Sequence, residues 1–122
     1  MTDELLVSTE GCSGKLSLNR PKALHSLTLD MCHAMSSSLA EWNNDLNIKT
    51  VVIDHADGRG FCAGGDINLL RNSALNDNGI SGRKFFHDEY QLNHQLFSYQ
   101  KPIIAFMDGI TMGGGVGISQ PA

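Results

Sequence analysis

The chain has no apolar run long enough to cross a membrane. Its longest apolar stretches, at 51–53 and 103–107, fall far short of the roughly 20 residues that a transmembrane helix needs. Near the N-terminus, Asp3 and Glu4 stand where a secretory signal would be basic and then apolar. These absences predict a protein that does not associate with membranes and that resides in the cytoplasm.

Basic residues are also few. Nine Lys plus Arg stand against 13 Asp plus Glu, which gives a formal net charge of -4 at pH 7. The basic residues form no run that could follow a phosphate backbone. We therefore expect no nucleic-acid partner.

Cysteines are too few and too scattered for a disulfide framework or a zinc knuckle. Cys12, Cys32 and Cys62 form neither an even set nor a CxxC pair, so reduced thiols are expected. His87 and His94 lie two helical turns apart, too far to share one ion without a third element. We expect no metal, and we interpret Cys62 as a small apolar filler.

The composition is that of one globular domain. Hydrophobic residues make up 41% of the 122 residues and charged residues 18%, with no internal repeat. A helix at 114–119 would be barely more than one turn long, and the Pro-Ala pair that follows it gives it nothing to pack against. We therefore expect residues 1–122 to be the N-terminal part of a longer domain.

Hydrophobic periodicity predicts alternating strands and helices. Strands are expected at 5–9, 15–18, 50–54 and 103–107, the first two forming a hairpin. Helices are expected at 28–43, with Thr28 as N-cap, at 67–71, and from a cap at Ser81 to about Gln100. The polar segment 72–82 is expected to be a mobile surface excursion. The order β-β-α-β-α-α-β-α favours an α/β fold with a largely parallel sheet.

Two glycine clusters are the most informative features. Residues 58–66 and 109–117 each follow a predicted buried strand. Glycine lets a ligand approach the backbone closely, so two such loops at neighbouring strand ends can direct N–H groups at one point. Two converging donors would form an oxyanion hole, which stabilises an oxygen atom that gains negative charge during a reaction.

Other interpretations of these clusters are weaker. Either loop alone could be a tight turn. A phosphate-binding Walker loop requires Lys-Ser/Thr where Gly115 and Val116 stand. The dinucleotide fingerprint is matched by Gly58, Gly60 and Ala63, but further glycines follow where its helix should begin. No Gly-x-Ser-x-Gly motif supplies a serine nucleophile.

Three motifs in order resemble the crotonase (enoyl-CoA hydratase/isomerase) superfamily, over essentially the whole chain. They are Asn-Arg-Pro-Lys-Ala-Leu at 19–24, Gly-Phe-Cys-Ala-Gly-Gly-Asp-Ile at 60–67, and Lys-Pro at 101–102 continuing to the glycine triplet at 113–115. The segments 85–90 and 109–117 look like the 3-hydroxyisobutyryl-CoA hydrolase branch. The resemblance implies a crotonase-like (ClpP/crotonase) spiral of ββα units, incomplete in this chain.

The resemblance also implies site residues. The backbone N–H groups of Gly65 and Gly114 would be the oxyanion donors, and Glu89 would contact the acyl group rather than being a solvated helix carboxylate. The residues implied on the CoA side of the substrate are Lys22, Ala23, Leu24, Asp66, Ile67 and Asn68, and Ala63 is a further implied substrate-binding residue. No separate cofactor is implied, because CoA is part of the substrate, and the resemblance suggests a homo-oligomer.

One departure separates the branches. Hydratases of the superfamily carry a catalytic Glu two residues after the glycine triplet, where this sequence has Gly117. The hydrolase branch shares that absence and places its catalytic carboxylates in a segment that would follow Ala122. We therefore expect an acyl-CoA thioester hydrolase of valine catabolism. The alternatives are an enoyl-CoA hydratase or isomerase that uses later acids, and a catalytically incomplete acyl-CoA-binding fragment.

Overall fold

The computed structural model describes residues 3–122. A single 3-10 turn at Pro21–Ala23 precedes the first helix. The strands and α-helices in chain order are β1 (Leu5–Glu10), β2 (Ser13–Leu18), α1 (Leu29–Asn43), β3 (Thr50–His55), β4 (Gly60–Cys62), α2 (Ile67–Asn76), α3 (Ile80–Phe97), β5 (Ile103–Ala105), β6 (Ile110–Thr111) and α4 (Gly114–Ser119).

The main sheet has four strands in the order β1-β2-β3-β5. β1 and β2 form the predicted antiparallel hairpin, and β2, β3 and β5 run parallel, with Leu16 opposite Ile53 and Ile53 opposite Ala105. Parallel strands joined through helices confirm the α/β prediction. The third parallel strand ends at Ala105, two residues earlier than expected.

A second, smaller sheet was not predicted. β4 and β6 pair in parallel, with Gly60 opposite Ile110 and Cys62 opposite Thr111. The two strands have three and two residues and lie inside the glycine clusters, so neither is long enough to show an alternating pattern. This small sheet joins the two clusters, which the sequence analysis had treated as loops.

Helix α1 follows the predicted pattern closely. The Thr28 hydroxyl accepts a hydrogen bond from the Met31 N–H at 3.2 Å, which makes Thr28 the N-cap, as predicted. The helix buries one face against the sheet, and at its end the Trp42 ring covers Gly14. A Cβ at Gly14 would lie 2.5 Å from Trp42 Cδ2. The residues of the buried face are Met31, Cys32, Met35, Leu39 and Trp42.

The segment 72–82 is mostly helical, so the prediction of a mobile excursion is wrong. α2 continues to Asn76 and α3 begins at Ile80. The carboxylate of Asp77 joins them, because it accepts hydrogen bonds from the hydroxyls of Ser73, at 2.6 Å, and Ser81. Ser81 is therefore inside α3 and does not cap it; Gly79 is the N-cap.

Helix α3 buries a different face from the one that its aromatic residues suggested. The spacing along the sequence predicts a helical stripe of Phe86, Tyr90, Asn93 and Phe97, joined by Leu92 and Leu96. Of these, Phe86, Tyr90 and Phe97 are exposed and only the two leucines are buried. The helix also ends at Phe97 rather than near Gln100. The buried residues of α3 are Phe85, Glu89, Leu92 and Leu96.

The loop before α1 is held by two polar side chains. His25 is fully buried, and its Nδ1 accepts the Arg20 N–H at 2.8 Å while its Nε2 donates to the Asp57 carbonyl. Burial lowers the pKa of His25, so the neutral ring with its proton on Nε2 is favoured. The Arg20 guanidinium donates to the Asp66 carboxylate at 2.9 Å. These bonds fix the loop to the start of α2.

The buried face of α1 predicts a stability difference between two leucines. Leu39 is completely buried, whereas Leu46, just beyond the same helix, is 87% exposed. We expect Leu39→Ala to lower the free energy of unfolding by about 2–5 kcal/mol, because it leaves a cavity in the core. Leu46→Ala is the matched control and should change it by less than about 0.5 kcal/mol. Urea unfolding followed by circular dichroism measures both, and equal effects would contradict the assignment of the core.

Candidate functional site

The two glycine clusters are in direct backbone contact. The Met112 N–H donates to the Cys62 carbonyl at 2.9 Å. At Gly64, which has φ +95°, a Cβ would lie 2.9 Å from the Gly114 nitrogen. A Cβ at Gly115 would collide with the Cys62 carbonyl. Glycine at 64 and 115 is thus required by this close approach, and no larger residue would let the loops meet in this way.

The amide of Gly65 is left unpaired by the way its strand bridges to Leu27. The Leu27 N–H donates to the Gly64 carbonyl at 2.6 Å, and the Asp66 N–H donates to the Leu27 carbonyl at 3.0 Å. In such a parallel bridge the central residue directs its own N–H and C=O away from the partner strand. Within residues 3–122 the Gly65 N–H has no acceptor.

The amide of Gly114 is unpaired because it begins helix α4. The N–H groups that follow it turn back into the loop: Gly115 donates to Met112 at 2.8 Å and Val116 to Gly113 at 3.0 Å. Gly113, the N-cap, has no side chain that could accept from the helix. In the described part of the chain the Gly114 N–H has no acceptor either.

Both unpaired amides belong to residues that line one cavity of about 400 Å³. Its walls come from the two glycine loops and from one face of α3, with Leu70 contributed by α2. Three of its residues, Glu89, Tyr90 and Asn93, carry polar side chains that can form hydrogen bonds in addition to those of the backbone donors. The lining residues are Gly64, Gly65, Leu70, Phe86, Glu89, Tyr90, Asn93, Gly113, Gly114 and Gly117.

Glu89 is a buried carboxyl beside the Gly114 amide. The residue is only 3% exposed, and a Cβ at Gly114 would collide with its Oε1. It has no hydrogen-bond partner among residues 3–122, and burial raises the pKa of Glu89. The alternative of a solvated helix carboxylate is therefore wrong. A carboxyl with a raised pKa in a cavity is typical of functional sites.

Asn93 lies one helical turn after Glu89 on the same cavity wall. Its Oδ1 is closed to solvent and has no hydrogen-bond partner in the described chain. A Cβ at Gly117 would stand 2.9 Å from Asn93 Nδ2, so the amide group occupies the space in front of that glycine. The helical stripe predicted from the sequence includes Asn93 but does not place it in the site. Its polar side chain in a largely apolar stripe is the one sequence feature that could have indicated a site residue.

The other predicted substrate residues lie outside this cavity. The Ala63 N–H donates to the Leu24 carbonyl at 3.0 Å, so the structure brings these two together. Lys22, Ile67 and Asn68 are exposed, and Ala23 ends the 3-10 turn. Their expected contact with CoA stays a prediction.

The Asp66 carboxylate is already occupied. It accepts from Arg20 and from the N–H groups of Asn68, at 2.9 Å, and Leu69, at 3.3 Å, as the N-cap of α2. Burial works to raise the pKa of Asp66, but the Arg20 guanidinium and these two amides outweigh it and hold the pKa below its usual value. Asp66 therefore orients the segment that carries Gly65, rather than offering a free side chain to a ligand.

Cys62 is fully buried under the loops, as expected of a small apolar filler. Burial raises its pKa to about 11, with the nearby Glu89 adding to the effect and the Gly64 amide opposing it. The thiol is therefore protonated at neutral pH and is a poor nucleophile. Between residues 3 and 122 no group of three or more His, Cys, Asp or Glu side chains could hold a metal, and no helix is long and apolar enough to span a membrane.

The family model for enoyl-CoA hydratase/isomerase matches residues 13–122. Among curated proteins, the chain is 43% identical over 118 residues to the mitochondrial 3-hydroxyisobutyryl-CoA hydrolase of Rattus norvegicus, covering 97% of this chain and 30% of the relative. It is 40% identical to the mitochondrial 3-hydroxyisobutyryl-CoA hydrolase-like protein 1 of Arabidopsis thaliana, covering 97% and 29%. The chain thus spans less than a third of the length of these relatives.

These names contradict one expectation. The sequence analysis predicted a cytoplasmic protein, whereas the two curated relatives are mitochondrial. That prediction rested on the absence of a membrane-spanning apolar run and of a basic-then-apolar segment near the N-terminus, and neither absence identifies a compartment.

Solved structures show the same fold. The carnitinyl-CoA dehydratase of Mycobacterium thermoresistibile superposes with a TM-score of 0.92 and 47% identity, covering 96% of this chain and 34% of that structure. An enoyl-CoA hydratase of Rhodobacter sphaeroides 2.4.1 superposes with a TM-score of 0.90 and 37% identity, covering 98% and 36%. The predicted crotonase-like fold, incomplete in this chain, is thereby confirmed. By its fold and by the match over residues 13–122, the chain belongs to the enoyl-CoA hydratase/isomerase family, the crotonase superfamily.

Proposed function

We propose that this protein is an acyl-CoA thioester hydrolase acting on 3-hydroxyisobutyryl-CoA, a step of valine catabolism. The observation that carries the proposal is the pair of unpaired amides, Gly65 and Gly114, on one cavity with the buried Glu89. The mitochondrial hydrolases at 40–43% identity support this substrate and favour a mitochondrial location.

The two amides would act on the thioester carbonyl. When water adds to the carbonyl carbon, its oxygen becomes negatively charged, and two N–H donors about 3 Å from it would stabilise that charge. The C–S bond then breaks, the sulfur leaves as a thiolate that takes up a proton, and the products are free CoA and a carboxylic acid. Glu89 would contact the acyl group beside the reacting carbon.

Gly117 favours hydrolysis over hydration of a double bond. Glycine has no side chain with which to move a proton, and the Asn93 amide fills the space in front of it with a group that does not ionise. A second candidate, an enoyl-CoA hydratase that uses other acids, is favoured by the name of the Rhodobacter sphaeroides structure at 37% identity.

The reaction products distinguish the two candidates. We expect the protein made from its complete reading frame to release free CoA from 3-hydroxyisobutyryl-CoA and to leave crotonyl-CoA largely unchanged. A thiol reagent measures free CoA, and chromatography separates any hydroxyacyl-CoA formed by hydration. CoA release from the first compound no faster than from the second would contradict the substrate, and hydration of crotonyl-CoA would favour the second candidate.

Gly114→Ala should damage the reaction by displacing the amide. The added Cβ would collide with the Glu89 carboxyl and stand 3.3 Å from the Gly64 Cα, so the carboxyl must be displaced and the two glycine loops must move apart slightly. We expect kcat for CoA release to fall about 10²–10³-fold, the usual effect of losing one oxyanion donor.

The control for Gly114→Ala is Gly11→Ala, in the β1–β2 turn. Gly11 has a positive φ, of +57°, so a substitution there strains the backbone, but a Cβ meets nothing within 4 Å. This variant should keep kcat within about twofold despite its backbone strain, because Gly11 does not line the cavity. Equal losses of kcat in both variants would mean that Gly114 acts only through stability.

Glu89→Gln should raise stability at neutral pH. Because burial raises its pKa, Glu89 keeps its proton in the folded state at pH values where the unfolded state has lost it. Its effect on stability is therefore neutral below the unfolded pKa, becomes unfavourable as pH rises from the unfolded to the folded pKa, and is constant above that. Thermal unfolding across this range should show that the Tm of the Gln variant rises relative to the Tm of wild type as pH increases. The variant should also release CoA more slowly than wild type.

Glu41→Gln is the matched control, since Glu41 lies exposed on α1. Its Tm should follow wild type at every pH. A Glu89→Gln variant whose Tm stays parallel to wild type across the pH range would show that Glu89 is not a buried carboxyl in solution.

A further inference from the structure

Asn93 is a polar residue of the site that has no role in the proposed thioester hydrolysis. It lies on α3 four residues after Glu89, so the two side chains lie on the same helix face, one turn apart. Both line the cavity that also contains Gly65 and Gly114. Asn93 is therefore close to the place where an acyl group would extend from the reacting carbonyl carbon.

The hydrogen-bonding capacity of Asn93 is unused. Its Oδ1 is closed to solvent and accepts from no group in residues 3–122, and its Nδ2 donates to none of them. A buried acceptor without a donor is costly, and such groups in folded proteins normally have a partner. Because the terminal torsion of asparagine is soft, rotation about χ2 can turn either atom toward the cavity.

The backbone beside Asn93 offers its side chain no partner. Asn93 Nδ2 already lies in the space that a side chain at 117 would need, and the Gly117 N–H donates to the Gly113 carbonyl at 3.3 Å. Glu89 adds a second group with no partner in the described chain. This wall thus offers two oxygen acceptors and one amide donor, which matches a hydroxyl group, a donor and an acceptor at once.

We propose that Asn93 is a specificity-determining residue that binds a hydroxyl group on the acyl chain of the substrate, with Glu89 beside it. The inference rests on the proposed thioester hydrolase and names the residue that would select a hydroxyacyl-CoA over the analogue without the hydroxyl. An acyl group without the hydroxyl leaves the Asn93 amide unpaired. A site built in this way discriminates against the analogue that lacks the hydroxyl, through the cost of the unpaired polar group.

The test compares two thioesters that differ only in the hydroxyl, 3-hydroxyisobutyryl-CoA and isobutyryl-CoA. We expect the protein from its complete reading frame to show kcat/KM at least roughly tenfold higher for the hydroxylated compound, the factor that one satisfied buried hydrogen bond can supply. Asn93→Leu should remove most of this ratio by slowing the hydroxylated compound alone. Gln91→Leu, an exposed amide on the same helix, is the control and should keep the ratio.

A second variant, Asn93→Ala, serves if the larger leucine disturbs the helix packing near Gly117. If wild type shows no preference, or if both Asn93 variants lower kcat/KM equally for the two compounds, the inference about Asn93 is overturned. If wild type releases no CoA from either compound, the proposed hydrolase is overturned instead. In that case calorimetry measures the Kd of each thioester. Tighter binding of the hydroxylated compound by wild type, lost in Asn93→Leu, would support the role of Asn93, and equal Kd values would overturn it.

Discussion

The close approach of two backbone loops is the contact on which the site depends. The loop after β4 and the loop after β6 meet through the Met112 N–H and the Cys62 carbonyl, and Gly64 and Gly115 allow them to come within van der Waals contact. A side chain at either glycine would have to occupy space that backbone atoms already fill. The two unpaired amides and the cavity beside them exist only while this contact is intact.

Several parts of the fold act to hold that contact in place. The pairing of β4 with β6 brings the loops together, and the bridge from Leu27 fixes the direction of the Gly65 amide. Arg20 holds Asp66, and Asp66 caps α2, so the backbone after Gly65 is fixed on both sides. Preorganisation of this kind makes backbone donors effective, because they need not reorient when charge develops.

The site combines a rigid backbone with polar side chains that have no partner in the described chain. Glu89 is a buried carboxyl with a raised pKa, and Asn93 has a buried acceptor without a donor. Both reduce stability in the absence of a ligand, and both lie on the wall where an acyl group would be bound. Such a balance is common in binding sites, where groups that disfavour the empty fold are satisfied by the substrate.

Local patterns predicted a large part of the fold. The hairpin, the helix that Thr28 caps and the parallel strand at Thr50–His55 follow from nearby residues, because turn chemistry, capping and periodicity act over a few positions. The segment 72–82 was misjudged because its helices are joined by hydrogen bonds from Ser73 and Ser81 to Asp77, which composition does not reveal. The aromatic residues of α3 indicated the wrong face because the buried face is decided by the segments that pack on the helix, and it includes Glu89 while Phe86, Tyr90 and Phe97 stay exposed.

By itself, the sequence determined the α/β class, the two glycine clusters and the likeness to crotonases, since each is written in the order of residues. Only the tertiary structure decided that β4 pairs with β6, that Glu89 is buried and that Asn93 faces Gly117. These features depend on contacts between segments distant along the chain. Such contacts are set by the packing of the whole domain, and local propensity carries no information about them.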